Sequence, residues 1–366
     1  MAPRSRLDGS SLHDAFGPAT DLTDDLRGLA APTPKKRTAA LDRLWARLCH
    51  QGSVYAASVE AVPHLLRLVS TTSTKNRGGI IELLSGIAVG DHANFLDGAL
   101  SAARRKSPRR RANAKTVEGR CHAAVSAGAP TLRALLHDRE APVRAAAAFA
   151  LAWLADPASL SSKALGARCR EERDVGARAS MLIALGHLGA TPQRAILEAA
   201  LTEGTAPTAA RVSAAIGLAY LDGKKLPAAA REVLEVACAA PALRETAQPW
   251  NGGDLAGHAA AILATLPART KGRGDAIARL TVVSYLPGDR LAGELVRKVF
   301  SGKDTKSAAR LTKDQRELLA TILRAGLVRP QGYVELALRL RGLPPLRDLP
   351  KFVGVEAGVH RELRRR

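Results

Sequence analysis

The chain has 366 residues, of which 46% are hydrophobic but only 3% aromatic. Alanine and leucine supply most of the apolar side chains, which favours closely packed helices over a β-sandwich. A formal charge of +21 suits phosphates, anionic lipids or an acidic protein partner, and the longest apolar run, AAAAFALAWLA at 145–155, is too short to span a bilayer.

The opening MAPRSRLDGSSLHD lacks the apolar core of a signal peptide, which predicts a soluble, cytoplasmic protein with no membrane association. Residues 1–36 read as an N-terminal cap, ending in AAPTPKKR as a linker. The first strong helix carries Leu41, Leu44, Trp45 and Leu48 on one stripe, with His50 in its last turn. Gly52 is expected as a left-handed C-cap and Ser53 as the N-cap of the next helix. That helix turns Ala57, Ala61, Leu65 and Val69 inward and is expected to kink at Pro63. SAARRKSPRRRANAK, at 101–115, interrupts the pattern as a solvated basic segment.

From there the chain repeats itself. RAAAAFALAWL starts at Arg144, RASMLIALGHL at Arg178 and RVSAAIGLAYL at Arg211, with the arginines 34 and 33 residues apart. Each has leucine seven and ten residues on, one helical turn apart on one face. RGGIIELLSGI from Arg77 is an earlier copy, and AGHAAAILATL from Ala256 a later one that follows the insertion-like PALRETAQPWNGGD. An apolar helix precedes each of Arg77, Arg144 and Arg211, so the unit is a pair of antiparallel helices. Such a pair cannot bury its stripe alone and must stack on its neighbours. The expected array covers 37–268, and 269–366 forms a C-terminal helical capping region with helices near 289–300, 311–325 and 332–341.

LLHDREAPVRAAAAFALAWL resembles a HEAT repeat, with Asp138 at the turn and Val143–Arg144 opening the second helix. LDRLWARLCHQGSVYAASVEAVPHLLRLV near the start and LTKDQRELLATILRAG near the end resemble a group of bacterial HEAT-repeat proteins. The resemblance implies an all-α fold, a right-handed α-solenoid with a period of about 33 residues. It also implies a structural ladder between repeats in which Asp138, Arg144, Arg178 and Arg211 take part. Thr205 stands where the acid before Arg211 is expected, which leaves the ladder incomplete there.

Candidate chemistry is sparse. The dipeptides Cys49–His50 and Cys121–His122 do not sit at equivalent places, and neighbouring residues on a helix diverge by about 100°, which makes a poor tetrahedral metal site. Cys49 with His50 or His64 lacks the glycine-rich cradle of a nucleophile, so no catalytic residue, metal or cofactor is assigned. Arg104, Arg105, Lys106, Arg109, Arg110, Arg111 and Lys115 form a phosphate-binding candidate for nucleic acid, although few aromatics accompany them for base stacking. The last candidate comes from the repeat. Nine residues after the arginine stand Trp153, His187 and Tyr220, and five after it Phe149, Ile183 and Ile216. The first set lies about 130° from the leucine face. It is expected to line a concave surface for a protein or peptide partner, and packing between successive helices would use the same rings. The sequence thus favours a non-catalytic binding or scaffold protein, with nucleic-acid binding as the alternative. It leaves the oligomeric state open.

Overall fold

A computed structural model describes residues 12–89, 115–154, 158–204, 208–237, 240–243, 245–266, 293, 296, 299–300, 310–324 and 333–354. The protein is mostly helical with almost no sheet. Two compact units divide it. One holds residues up to Asp222 together with Thr246–Gly253, the other Gly223–Glu245 and the chain from Asp254.

The first unit opens with a small hairpin, β1 (His13–Asp14) and β2 (Gly17–Pro18), followed by α1 (Leu22–Gly28) and α2 (Pro34–Leu48). The expected linker is therefore partly helix: Thr33 caps α2 by accepting from the Lys36 N–H, and Pro34 sits at its first position, where no N–H is needed. Arg47 ties the hairpin and α1 to α2 through Asp14 at 2.8 Å, Asp21 at 2.7 Å and Asp25 at 3.3 Å.

The turn after α2 differs from its expectation. Cys49–His50 (β3) pairs antiparallel with Ser53–Val54 (β4), and Gln51 (φ 50°) and Gly52 (φ 91°) make the bend. Two consecutive positive φ values match a tight hairpin rather than a helix C-cap. His50 stacks edge-on against Phe16. The next helix, α3 (Ala56–Ser70), runs through Pro63, and Tyr55, not Ser53, is its N-cap. The Ser58 hydroxyl accepts from the Tyr55 N–H and donates to the Leu48 carbonyl at 2.7 Å, pinning α3 to the end of α2.

The rest of the unit comprises α4 (Arg77–Val89), α5 (Val117–Ala127), α6 (Ala129–Leu135), α7 (Ala141–Leu151), α8 (Ala158–Glu171), α9 (Val175–His187), α10 (Arg194–Leu201) and α11 (Ala209–Asp222). The helices opened by the recurring arginines pack in series, α4 on α7, α7 on α9 and α9 on α11. Each also packs on the helix before it: α3, α6, α8 and α10 in turn. Nearly every residue of α4, α7, α9 and α11 is buried, as their low polarity requires. Backbones come close where α9 crosses α11: a Cβ on Gly186 would lie 2.2 Å from the Gly217 carbonyl oxygen.

In the second unit α12 (Ala228–Ala237) packs on α13 (Leu255–Thr265), which Asp254 caps through the Gly257 N–H at 2.8 Å. Beyond it lie α14 (Lys313–Arg324), α15 (Tyr333–Leu340) and α16 (Leu349–Val353), with α14 against α16. Among the described residues no helix is long and apolar enough to cross a membrane.

Candidate functional site

Two constructions depend on the recurring helices: a ladder of arginines and acids along one edge, and an aromatic cluster on one face. In the ladder, Arg77, Arg144 and Arg178 each reach the turn of the next helix pair. Arg77, fully buried, donates to Asp138 at 2.6 and 2.8 Å and to Glu140 at 2.8 Å. Arg144 holds Glu172 bidentately, at 2.6 and 2.8 Å, and also donates to the carbonyls of Asp138 and Arg139. Arg178 holds Glu203 in the same forked way. Arg211 donates to the Leu201 carbonyl at 2.9 Å. Asp138 and Glu172 do identical work, each also accepting the backbone N–H two residues on.

Burial works to raise the pKa of Asp138 and Glu172, but the arginine hydrogen bonds and charges outweigh it and hold both below the usual carboxylate range. Hydrogen bonding to Arg178 does the same for Glu203. Thr205 lies outside the described residues; the acid that serves Arg178 is Glu203, two residues upstream of it. Glu172 was legible, since it stands six residues before Arg178 as Asp138 does before Arg144.

The structure brings Trp153, His187 and Tyr220 side by side. Ring centroids are 4.2 Å apart for Trp153 and His187, and 5.6 Å for His187 and Tyr220, the latter edge to face. Helix α7 ends at Leu151, so Trp153 projects from the turn beyond it. His187 Nδ1 lies 2.9 Å from the Ala152 carbonyl, an acceptor only, which fixes the proton on that nitrogen.

A fourth ring, Trp250, closes the group. It lies 4.9 Å from Phe149, 5.7 Å from His187 and 5.8 Å from Trp153. Its indole N–H points to Ser180 Oγ at 3.2 Å, and that hydroxyl donates in turn to the Ala145 carbonyl at 2.7 Å. Trp250 is held out by a turn whose ends meet, the Thr246 N–H donating to the Gly253 carbonyl at 2.9 Å. Gln248 braces it from inside through the Trp250 N–H and carbonyl. Asn251, Gly252 and Gly253 all take positive φ (51°, 60° and 90°), and a Cβ on Gly253 would lie 2.6 Å from the Thr246 carbonyl oxygen. That requirement explains Asn-Gly-Gly after the tryptophan.

The turn lies against α9, where a Cβ on Gly176 would come within 2.1 Å of the Ala247 carbonyl oxygen. The outcome is a largely buried aromatic cluster: Trp250 is 1% exposed, Tyr220 4% and Trp153 6%, with His187 half-buried. Sequence reasoning marked 241–254 only as an insertion and missed that its tryptophan completes the ring row. The available signal was a tryptophan followed by a run of turn residues.

The remaining candidates divide. Cys49, Cys121 and Cys169 are free and buried, and burial pushes their thiols up to about 11, about 12 and about 11, so they stay protonated at neutral pH. His122 is buried with Nδ1 3.1 Å from the Ala88 carbonyl. Among the described residues no group of three or more His, Cys, Asp or Glu could hold a metal ion. Arg104, Arg105, Lys106, Arg109, Arg110 and Arg111 lie outside the described residues. Lys115 is exposed in the turn before α5.

The position five residues after the arginine also divides. Phe149, Ile183 and Ile216 are buried, whereas the equivalent residue on α4 is Glu82, half-buried. Beside it Trp45 of α2, also half-buried, approaches so closely that a Cβ on Gly86 would lie 2.5 Å from its ring. In comparison with known proteins, no family model matches the chain and no curated protein matches it.

Proposed function

We propose that the chain is a non-catalytic, HEAT-like helical-repeat protein of the cytoplasm, a right-handed α-solenoid with a period of about 33 residues, and that it binds a protein or peptide partner on its concave face. The observation that carries this reading is the recurrence of one contact: Arg77, Arg144 and Arg178 each donate to an acid in the turn of the following helix pair. Repeated contacts of this kind hold successive pairs in one register, and an array so held presents a continuous face to a partner. The face concerned is the one bearing Glu82, Phe149, Ile183 and Ile216. Trp250 already fills it along α7 and α9, so the partner engages it at the α2–α4 end.

Photo-crosslinking tests the reading. A benzoylphenylalanine placed at 82 on this face is compared with one at the exposed Lys163 of α8. Crosslinks to a specific protein from position 82 but not from 163 support it. Crosslinks chiefly from position 163, or to nucleic acid, overturn it.

A further inference from the structure

Glu82 stands alone on a face that is otherwise apolar. It makes no hydrogen bond or ion pair among the described residues. Three glycines flank it on α4, and on the helix circumference it lies within about 60° of each of them. The neighbouring helices close in at these glycines. A Cβ on Gly78 would lie 3.2 Å from the Pro142 carbonyl oxygen of α7, one on Gly79 2.9 Å from Leu41, and one on Gly86 2.5 Å from the benzo edge of Trp45. Glu82 is thus the single long side chain of its strip, walled by α2 and α7, with the half-buried indole of Trp45 one helical turn away.

Burial pushes the Glu82 carboxyl above its ordinary value, the behaviour of a carboxylate short of a compensating charge. A carboxylate with no ion pair among the described residues, one helical turn from the place where an indole packs, is a pairing that suits a guanidinium. The planar cation stacks on the ring while its N–H fork meets the carboxylate oxygens. With a formal charge of +21 the protein repels cations in general, so a cation that binds must be drawn by a local feature.

We infer that the strip formed by Glu82, Gly86 and Trp45 is a binding site for an arginine side chain of the partner. The inference rests on the concave-face reading and gives the partner its chemistry. The test is saturation-transfer NMR on the full chain, with N-acetyl-arginine amide as probe and N-acetyl-citrulline amide as its uncharged isostere. The arginine probe is expected to bind at least tenfold more tightly than the citrulline probe. Glu82→Gln, checked for fold by circular dichroism, should erase the difference, and Lys163→Gln should leave it intact. Equal binding of the two probes, or a preference that survives Glu82→Gln, overturns the site. The experiment needs no macromolecular partner. A protein still crosslinked from position 82 without any arginine preference therefore removes this inference alone, whereas an arginine preference without a crosslinked protein keeps the site and removes the partner-binding reading.

Discussion

Helices α4 and α7 occupy equivalent places in the repeated pattern, and the same two positions on each have opposite fates. At α7 the residues five and nine after the arginine are Phe149, on the helix, and Trp153, just past its end, both buried against Trp250. On α4 they are Glu82 and Gly86, and the ring that arrives there is Trp45, from α2 and half-buried. Sequence position within a repeat therefore sets where a side chain points but not what it meets. A ring supplied from far along the chain turned one stretch into core. At the other, a carboxylate and a partly exposed indole remain at the surface.

The largest test of this contrast is Trp250→Ala. If the α7–α9 stretch is core, the loss of the indole should cost about 4 kcal/mol, read from urea denaturation. The 246–253 turn should become the first site of limited proteolysis in that variant. An unfolding midpoint close to that of the wild type would mean that the turn only rests on the surface, and the contrast between the two stretches would fail.

Next in size is a comparison within the ladder. Arg144 and Glu172 are 10% and 1% exposed in their side chains, while Arg178 and Glu203 are 27% and 44% exposed. Arg144→Ala takes the forked partner from buried Glu172, leaving it Arg168 at 3.0 Å, and should cost about 2 kcal/mol. Arg178→Ala, at a wetter pair of the same geometry, should cost under about 1 kcal/mol. The acids make the ladder sensitive to pH in a defined direction. Asp138, Glu172 and Glu203 have folded pKa values below their unfolded ones, so their contribution is complete above about pH 4.5 and disappears as the pH falls through the lowered values. Arg144→Ala should accordingly destabilise much less at pH 3 than at pH 7, as thermal melts at the two values would record.

How much of this was legible in the sequence depends on the range of the contact. The helix pairs, the recurring arginines and the recurrence of rings at Trp153, His187 and Tyr220 all follow from periodicity, because each is set within one unit. Trp250 could not be placed in the same way. It lies 97 residues from Trp153 in the sequence, and only tertiary packing brings the 246–253 turn across α9. The hairpin at Gln51–Gly52 was misread for a local reason: a glycine after a helix suits a left-handed cap and a tight β-turn equally well, and pairing of Cys49 with Val54 decided between them. Glu82 was visible as a polar residue at a position that is otherwise Phe, Ile and Ile. Its meaning depended on Trp45, which belongs to a helix outside the repeated pattern.

The smallest effect concerns that glutamate and has the opposite sign. Its folded pKa is raised, so ionised Glu82 penalises the folded state. The penalty is complete above the folded pKa and vanishes below the unfolded value, near pH 4.3. Glu82→Gln keeps the shape and removes the charge, and it should raise the Tm at pH 7 by roughly 1–3 °C. The gain should shrink to nothing near pH 3.5, where the wild-type side chain is itself neutral. A ladder acid would behave in the reverse way, losing stability at pH 7 on the same substitution. A lower Tm for Glu82→Gln at pH 7 would mean that the carboxylate already has a cationic partner within the chain, and the open end of the face would then be closed like the rest of it.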